Sequence, residues 1–140
     1  MAKSFLLSDQ HFRDINPVDC GWERCDPSHS FGPTARMFWL LHYVVSGSGV
    51  FETGGVRHPV RAGQMFVIHP LETTFYQADE HDPWEYIWIG FHTELTLPAP
   101  LREQAVVQHS GLGSLFSSAL RLENMTQGRE MYLCGLIYQL

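Results

Sequence analysis

Hydrophobic positions fall in short, closely spaced runs through most of the chain and take up a helical spacing only near its end. Residues 36–45, RMFWLLHYVV, are dense in aromatic and branched side chains without polar alternation, the pattern of a strand buried on both faces. Ser46-Gly47-Ser48-Gly49 closes that run with a turn. Residues 50–53 and 56–60 flank Gly54-Gly55, which predicts a hairpin with a primed turn. Further strands are predicted over 65–69 and 73–77, and an acidic loop then leads into the last clear strand, 84–92. Short strands between Gly/Pro turns, with no helical period among them, predict an antiparallel barrel or sandwich over residues 35–97.

Residues 1–34 are interrupted by Pro17, Gly21, Pro27, Gly32 and Pro33 and read as an arm with at most one or two short strands, around 20–24. After Leu97-Pro98-Ala99-Pro100 the period changes. Leu112, Leu115, Phe116 and Ala119 stand at i, i+3, i+4 and i+7, predicting an amphipathic helix capped by Ser110 and running to about residue 123. Gly128 separates it from a second helix over 129–140. There Leu133, Leu136, Ile137 and Leu140 form one apolar stripe and Met131, Cys134 and Tyr138 another, so cover is expected on two faces. Residues 98–140 are thus read as a helical segment whose stripes pack on the barrel, on each other and across a two-fold axis, as in a homodimer. The pattern is unbroken at Leu140, as expected for the front part of a longer protein.

Composition narrows the partners. A chain of 140 residues makes one domain, and 9 Lys+Arg against 15 Asp+Glu leave a net charge of −6, with no basic cluster to neutralise a phosphate backbone. Direct contact of this segment with nucleic acid is not expected. The three cysteines, Cys20, Cys25 and Cys134, are odd in number, and the first pair lacks a second pair or a spaced His for a tetrahedral zinc site. Reduced thiols in a soluble, cytoplasmic protein are expected. The apolar run Phe5-Leu6-Leu7 is too short for a signal peptide or a membrane span.

The richest chemistry lies in FYQADEHDPWEYIWIGF, residues 75–91. Trp84, Tyr86 and Trp88 share one strand face by alternation, and Ile87 and Ile89 take the other. In a small barrel those rings either fill the interior or line a cavity for one small ligand. Flat apolar faces edged with N–H and O–H groups suit a sugar ring, whose C–H face packs on the π system while its hydroxyls meet the polar rim. Arg36 opens the first barrel strand and offers a fork of donors to oxygen, and His42 shares its parity. Trp84, at the strand entrance, either joins the cavity or caps the barrel.

Residues 20–91 carry a resemblance. Leu41-His42-Tyr43-Val44 before Gly47-x-Gly49, Ala62-Gly63-Gln64 leading to Pro70, Tyr76-x-Ala78-Asp79, and Pro83-Trp84-x-Tyr86-x-Trp88-Ile89-x-Phe91 follow one another in an order and spacing that resemble the N-terminal effector-binding domain of AraC-type transcriptional regulators. The resemblance implies a mainly β fold, a cupin-like antiparallel jelly-roll barrel followed by C-terminal helices that pair two subunits. In the whole protein a DNA-binding region with two helix-turn-helix motifs would follow. It also implies a small-molecule effector, with the flavour of sugar-utilisation regulators, and no cofactor. Comparison with an arabinose-responsive member places Tyr76, Tyr86 and Trp88 at ligand-contacting positions, Trp88 in the stacking role. Gln64 and Thr74 depart from the family's pattern, and Thr74, on the strand of Tyr76, bears on which ligand is taken.

Two other readings remain open. Cupin folds also host metal-dependent enzymes, for which His58, His69, Glu72 and His92 are the available ligands, but no His-x-His is present. A dimerisation module with a filled barrel would sense nothing.

Overall fold

The computed structural model describes all 140 residues. Strands β1 (Ala2–Leu6), β2 (Ile15–Arg24), β3 (Ser30–Thr34), β4 (Trp39–Ser46) and β5 (Ser48–Thr53) are followed by β6 (Val56–Arg61), β7 (Gln64–Ile68), β8 (Thr74–Ala78) and β9 (Glu85–Thr93). Helix α1 (Ala99–Glu103), strand β10 (Val106–Gln108) and helices α2 (Leu112–Ala119) and α3 (Arg129–Tyr138) complete the chain. One sheet has the order β1-β2-β9-β4-β7-β10 and the other β3-β8-β5-β6. All ladders between these strands are antiparallel.

The predicted barrel strands are present with their turns. Gly54 and Gly55 both take positive φ, 56° and 76°, as the primed connection between β5 and β6 requires. Gly47, at φ 75°, is the single residue between β4 and β5. There the chain leaves the larger sheet for the smaller one, and a Cβ at this position would overlap the Pro83 backbone.

Residues 1–34 contain three strands, not one or two short ones. The prolines that argue against strands occupy permissive places. Pro17 borders a register shift in the β2–β9 ladder, and Pro33 lies within a second shift in β3, an edge strand. β2 therefore runs for ten residues beside β9 and forms part of the barrel wall. In the segment read as helical, β10 pairs with β7, a strand too short to show a period.

Two cores share the larger sheet. Its inner face meets the smaller sheet through Leu40, Val44, Phe66, Ile68, Trp84 and Tyr86, packed with Phe51, Val60, Tyr76 and Ala78. Its outer face, with Leu41, Met65, Val67, Ile87, Ile89 and Phe91, is covered by Leu112, Phe116, Leu133 and Ile137 of the helices. β4 and β7 are buried on both sides, which is why their sequences lack polar alternation.

The helical segment differs in detail from its reading. Gly111, not Ser110, stands at the N-cap of α2 and no side chain caps it, and a 3₁₀ turn, Leu120–Asn124, follows the helix. In α3 the stripe of Leu133, Leu136 and Ile137 is buried, whereas in the second stripe Cys134 packs against the core but Met131 is 71% and Tyr138 54% exposed, so that stripe is only partly covered within the chain. The N-terminal residues are tied to this layer by a Lys3–Glu123 ion pair and by the Tyr138 hydroxyl donating to Asp14 Oδ2 at 3.0 Å.

Phe116 is fully buried and stacks on Tyr43 at 5.5 Å, joining α2 to β4. Phe116→Ala is expected to cost about 3–5 kcal/mol in denaturant unfolding. A loss below about 1 kcal/mol would show that the helices do not depend on this contact.

Candidate functional site

The alternation of β9 divides its side chains as the sequence predicts: Tyr86 and Trp88 face inward with Trp84 just ahead of the strand, while Ile87, Ile89 and Phe91 face the helices. The inward rings do two different jobs. Phe51 stacks on Phe66 at 4.8 Å, and Phe66 on Trp84 at 5.2 Å, so one end of the barrel is solidly filled. The Trp84 indole lies against Gly49, where a Cβ would overlap it. Trp84 is fully buried in this plug and is not in the lining of the cavity above it.

His42 covers the plug, its ring parallel to Phe66 at 4.6 Å and 6°. Above it is a cavity of about 150 Å³. Tyr76, Tyr86, Trp88 and Leu40 form its apolar walls, and Asp19, Glu23 and Arg36 its polar wall. Phe31 stands at the mouth, 41% exposed, stacked on Tyr76 at 5.6 Å. The Arg36 guanidinium lies over the Phe31 ring, 4.7 Å from its centroid. Trp88 has room for its indole because its cross-strand partner is Gly21, where a Cβ would overlap the indole and the Lys3 carbonyl.

Of the residues singled out from sequence, Arg36, His42, Tyr76, Tyr86 and Trp88 therefore meet around one cavity, and Trp84 lies outside it. Arg36 reaches it from the loop before β4, not from the strand itself. Thr74 is buried on β8 but is not part of the lining. Sequence reading missed Asp19 and Glu23, together with Phe31 and Leu40. The signal was present: 19, 21 and 23 alternate with Cys20 and Trp22, which pack on the helical side. Once β2 is a strand, two carboxylates and a glycine fall on the face opposite Trp88.

Burial is the main influence on Asp19, His42, Tyr76 and Tyr86. It raises the Asp19 carboxyl above its ordinary range, against the opposing pull of Arg36 and of a hydrogen bond from Trp88. It pushes the Tyr76 and Tyr86 phenols well up, so both are neutral donors, and the Tyr86 hydroxyl donates to Glu23 Oε1 at 3.1 Å. It lowers His42 to about 3, with Arg36 adding to the effect, and His42 Nδ1 has no hydrogen-bond partner. The cavity thus offers an acceptor pair, a guanidinium fork, two phenols and a neutral imidazole around a flat indole, which suits a hydroxyl-bearing ring.

The donors do not fit the metal set of a cupin enzyme. His42 is the only imidazole on the cavity. His69 Nδ1 lies 2.7 Å from Glu72 Oε2 and its Nε2 2.8 Å from the Leu101 carbonyl, so both ring nitrogens have partners. Glu72 also accepts from Thr53 at 2.5 Å, which makes this a bracing network beneath α1. His58 lies beside Phe51 and His92 beside Phe38, on different strands and away from the cavity lining.

Acid sensitivity follows from His42. Its ordinary value of 6.5 falls to about 3 in the fold, so below pH 6.5 the unfolded chain takes up a proton that the folded chain refuses. Stability from this group is complete above pH 6.5 and is lost as the pH falls toward 3. The lowered Glu72 acts in the same direction at lower pH, and the raised Asp19 opposes it. His42→Leu is expected to flatten the decline between about pH 6 and pH 4 by about 1.4 kcal/mol per pH unit in urea unfolding. Equal slopes in the two proteins would show that His42 is not held neutral.

Comparison with known proteins agrees with this architecture. The AraC-like ligand binding domain family matches residues 16–140. The Msm operon regulatory protein of Streptococcus mutans is 34% identical over 141 residues, covering 91% of this chain and 51% of that protein. The raffinose operon transcriptional regulatory protein RafR of Pediococcus pentosaceus is 34% identical over 106 residues, covering 73% of this chain and 37% of that protein. The chain thus spans about half the length, or less, of these relatives. Among solved structures, the cupin domain of Schizosaccharomyces pombe Cnp3 is similar at a TM-score of 0.53 and 6% identity, covering 66% of this chain and 65% of that one. Oxalate decarboxylase of Bacillus subtilis is similar at 0.54 and 12%, covering 68% of this chain and 26% of that one. These structural likenesses show a shared fold. The family match over nearly the whole barrel and helical layer shows that this chain, a cupin-type barrel with a helical layer, belongs to the AraC-like ligand binding domain family.

Proposed function

We propose that the chain is the effector-sensing part of a transcriptional regulator and that its barrel takes one neutral sugar ring. The observation that carries this reading is the cavity, in which an indole, two phenols, two carboxylates and one guanidinium converge. Its volume of about 150 Å³ matches a cavity that holds a single six-membered ring and is well below that of drug-sized sites. A longer saccharide would enter by one terminal residue, with the remainder outside Phe31. Two relatives are named for sugar operons, raffinose and lactose, and this supports the class of ligand.

Occupancy has a route out of the barrel. β2 carries Asp19 and Glu23 on its cavity face and Cys20 and Trp22 on the face toward the helices, and α3 packs against β2, with Cys134 Sγ 3.7 Å from the Ile15 carbonyl. A ligand drawing on both carboxylates favours one placement of β2, and through it one placement of α3. The unpaired apolar stripe of Met131 and Tyr138 supports pairing of two copies through the helical layer. Contact with DNA would belong to a region outside this chain. The cavity donors give no support to a metal-dependent enzyme of the cupin type, and its open volume argues against a filled, unresponsive module.

Calorimetric titration with a panel of mono- and oligosaccharides is expected to yield a ligand whose affinity falls about tenfold or more, ~1.4 kcal/mol, in Trp88→Ala. The matching uronic acid should bind more weakly than its neutral sugar, since carboxylates outnumber the one guanidinium on the wall. Undiminished affinity in Trp88→Ala would overturn the reading. Sedimentation should show a dimer at micromolar concentration that Met131→Glu dissociates; a monomer throughout would refute the pairing without touching the cavity.

A further inference from the structure

At the edge of the cavity, where β2 ends and the chain turns into β3, Glu23 of the cavity wall, Cys25 and His29 bring a carboxylate oxygen, a thiol sulfur and an imidazole nitrogen all within 4.8 Å of one another. From this convergence we propose that Glu23, Cys25 and His29 form a binding site for one borderline-soft divalent cation of the Zn²⁺ type, with a fourth position open to solvent.

The geometry is close to what such an ion needs. Metal–ligand distances of about 2.0–2.3 Å at tetrahedral angles place donors about 3.3–3.8 Å apart. His29 Nε2 and Glu23 Oε2 are already 3.7 Å apart, so small side-chain rotations close the set. The supports are fixed. Cys25 N–H donates to the Trp84 carbonyl at 3.1 Å, and the His29 carbonyl accepts from Ala78 N–H at 2.9 Å. The Ser28 carbonyl accepts from the Gln77 side chain at 3.0 Å. The loop carrying His29 is therefore held on β8.

A second observation points to the same place. Trp84 Nε1 is fully buried, has no hydrogen-bond partner and faces the Cys25 sulfur. An indole N–H can only donate, and a neutral thiol is a weak acceptor. A metal-bound thiolate would satisfy it, as outer donors do for ligating groups in metal sites. The Tyr86 hydroxyl, donating to Glu23 Oε1, leaves Oε2 turned toward His29 and so orients the carboxylate. One sulfur, one nitrogen and one oxygen favour Zn²⁺ or Co²⁺ over Mg²⁺ or Ca²⁺, which take oxygen. Binding replaces the Cys25 S–H bond with an S–metal bond and releases that proton, with waters from the ion, to solvent. Glu23 would then serve both the ion and the cavity wall, but the site needs no sugar to form.

The test is a titration of the reduced chain with Co²⁺. One equivalent is expected to bind with a sulfur-to-cobalt charge-transfer band that Zn²⁺ abolishes by displacement. Cys25→Ser should lose the band, and His29→Gln should weaken Co²⁺ binding by about tenfold or more. His29 has a 42% exposed side chain, so its variant keeps the test decisive even where Cys25→Ser fails to fold. Saturation with Co²⁺ without a sulfur band, or unchanged affinity in His29→Gln, would overturn the proposal.

Discussion

The hollow in this barrel depends on the cost of burying charge. Asp19, Glu23 and Arg36 stand on one wall, and closing the barrel over all three would cost solvation that their few contacts within the chain do not fully replace. Arg36 is in no ion pair within the chain, and Asp19 Oδ1 has no hydrogen-bond partner. At the other end of the barrel no such groups occur, and Phe51, Phe66 and Trp84 close the interior completely. The same fold is thus plugged where its lining is apolar and open where its lining is charged.

The larger sheet turns that local fact into a mechanical one. Its central strands are covered on both faces, by the barrel interior on one side and the helices on the other, so the wall of the cavity and the seat of the helices are the same backbone. β2 is the clearest case, with carboxylates on one side and Cys20 and Trp22 on the other. Close-packed layers pass on displacements instead of absorbing them. On β2 the elements that lie against the cavity wall are β9, β1 and α3.

Much of this was legible in the sequence, for physical reasons. The hairpin at Gly54-Gly55, the two-sided burial of β4 and the aromatic face of β9 each follow from a local period or a turn residue, and so they were predicted. Of the three strands among residues 1–34, only a short piece of β2 around 20–24 was legible; the rest was hidden because prolines signal breaks, and only the ladder shows that Pro17 borders a register shift and Pro33 lies in an edge strand. With β2 read only as a short strand around 20–24 and not as a long barrel strand beside β9, Asp19 and Glu23 had no face assigned to them. Trp84 shares the parity of Trp88 yet belongs to the plug; parity gives the side of a strand but not the depth along the barrel. Met131 and Tyr138 of the second α3 stripe stay exposed, since periodicity marks a face as apolar without saying whether the chain supplies a surface to cover it.

The central claim is a ring-sized hollow between the Trp88 indole and the carboxylates of β2, and a crystal structure of the chain soaked in a neutral monosaccharide examines it most directly. The account predicts density for one sugar ring lying flat on Trp88, its hydroxyls meeting Asp19, Glu23 and Arg36. A barrel in which Trp88 has folded down onto Leu40 and His42, leaving no space between these walls, would contradict it.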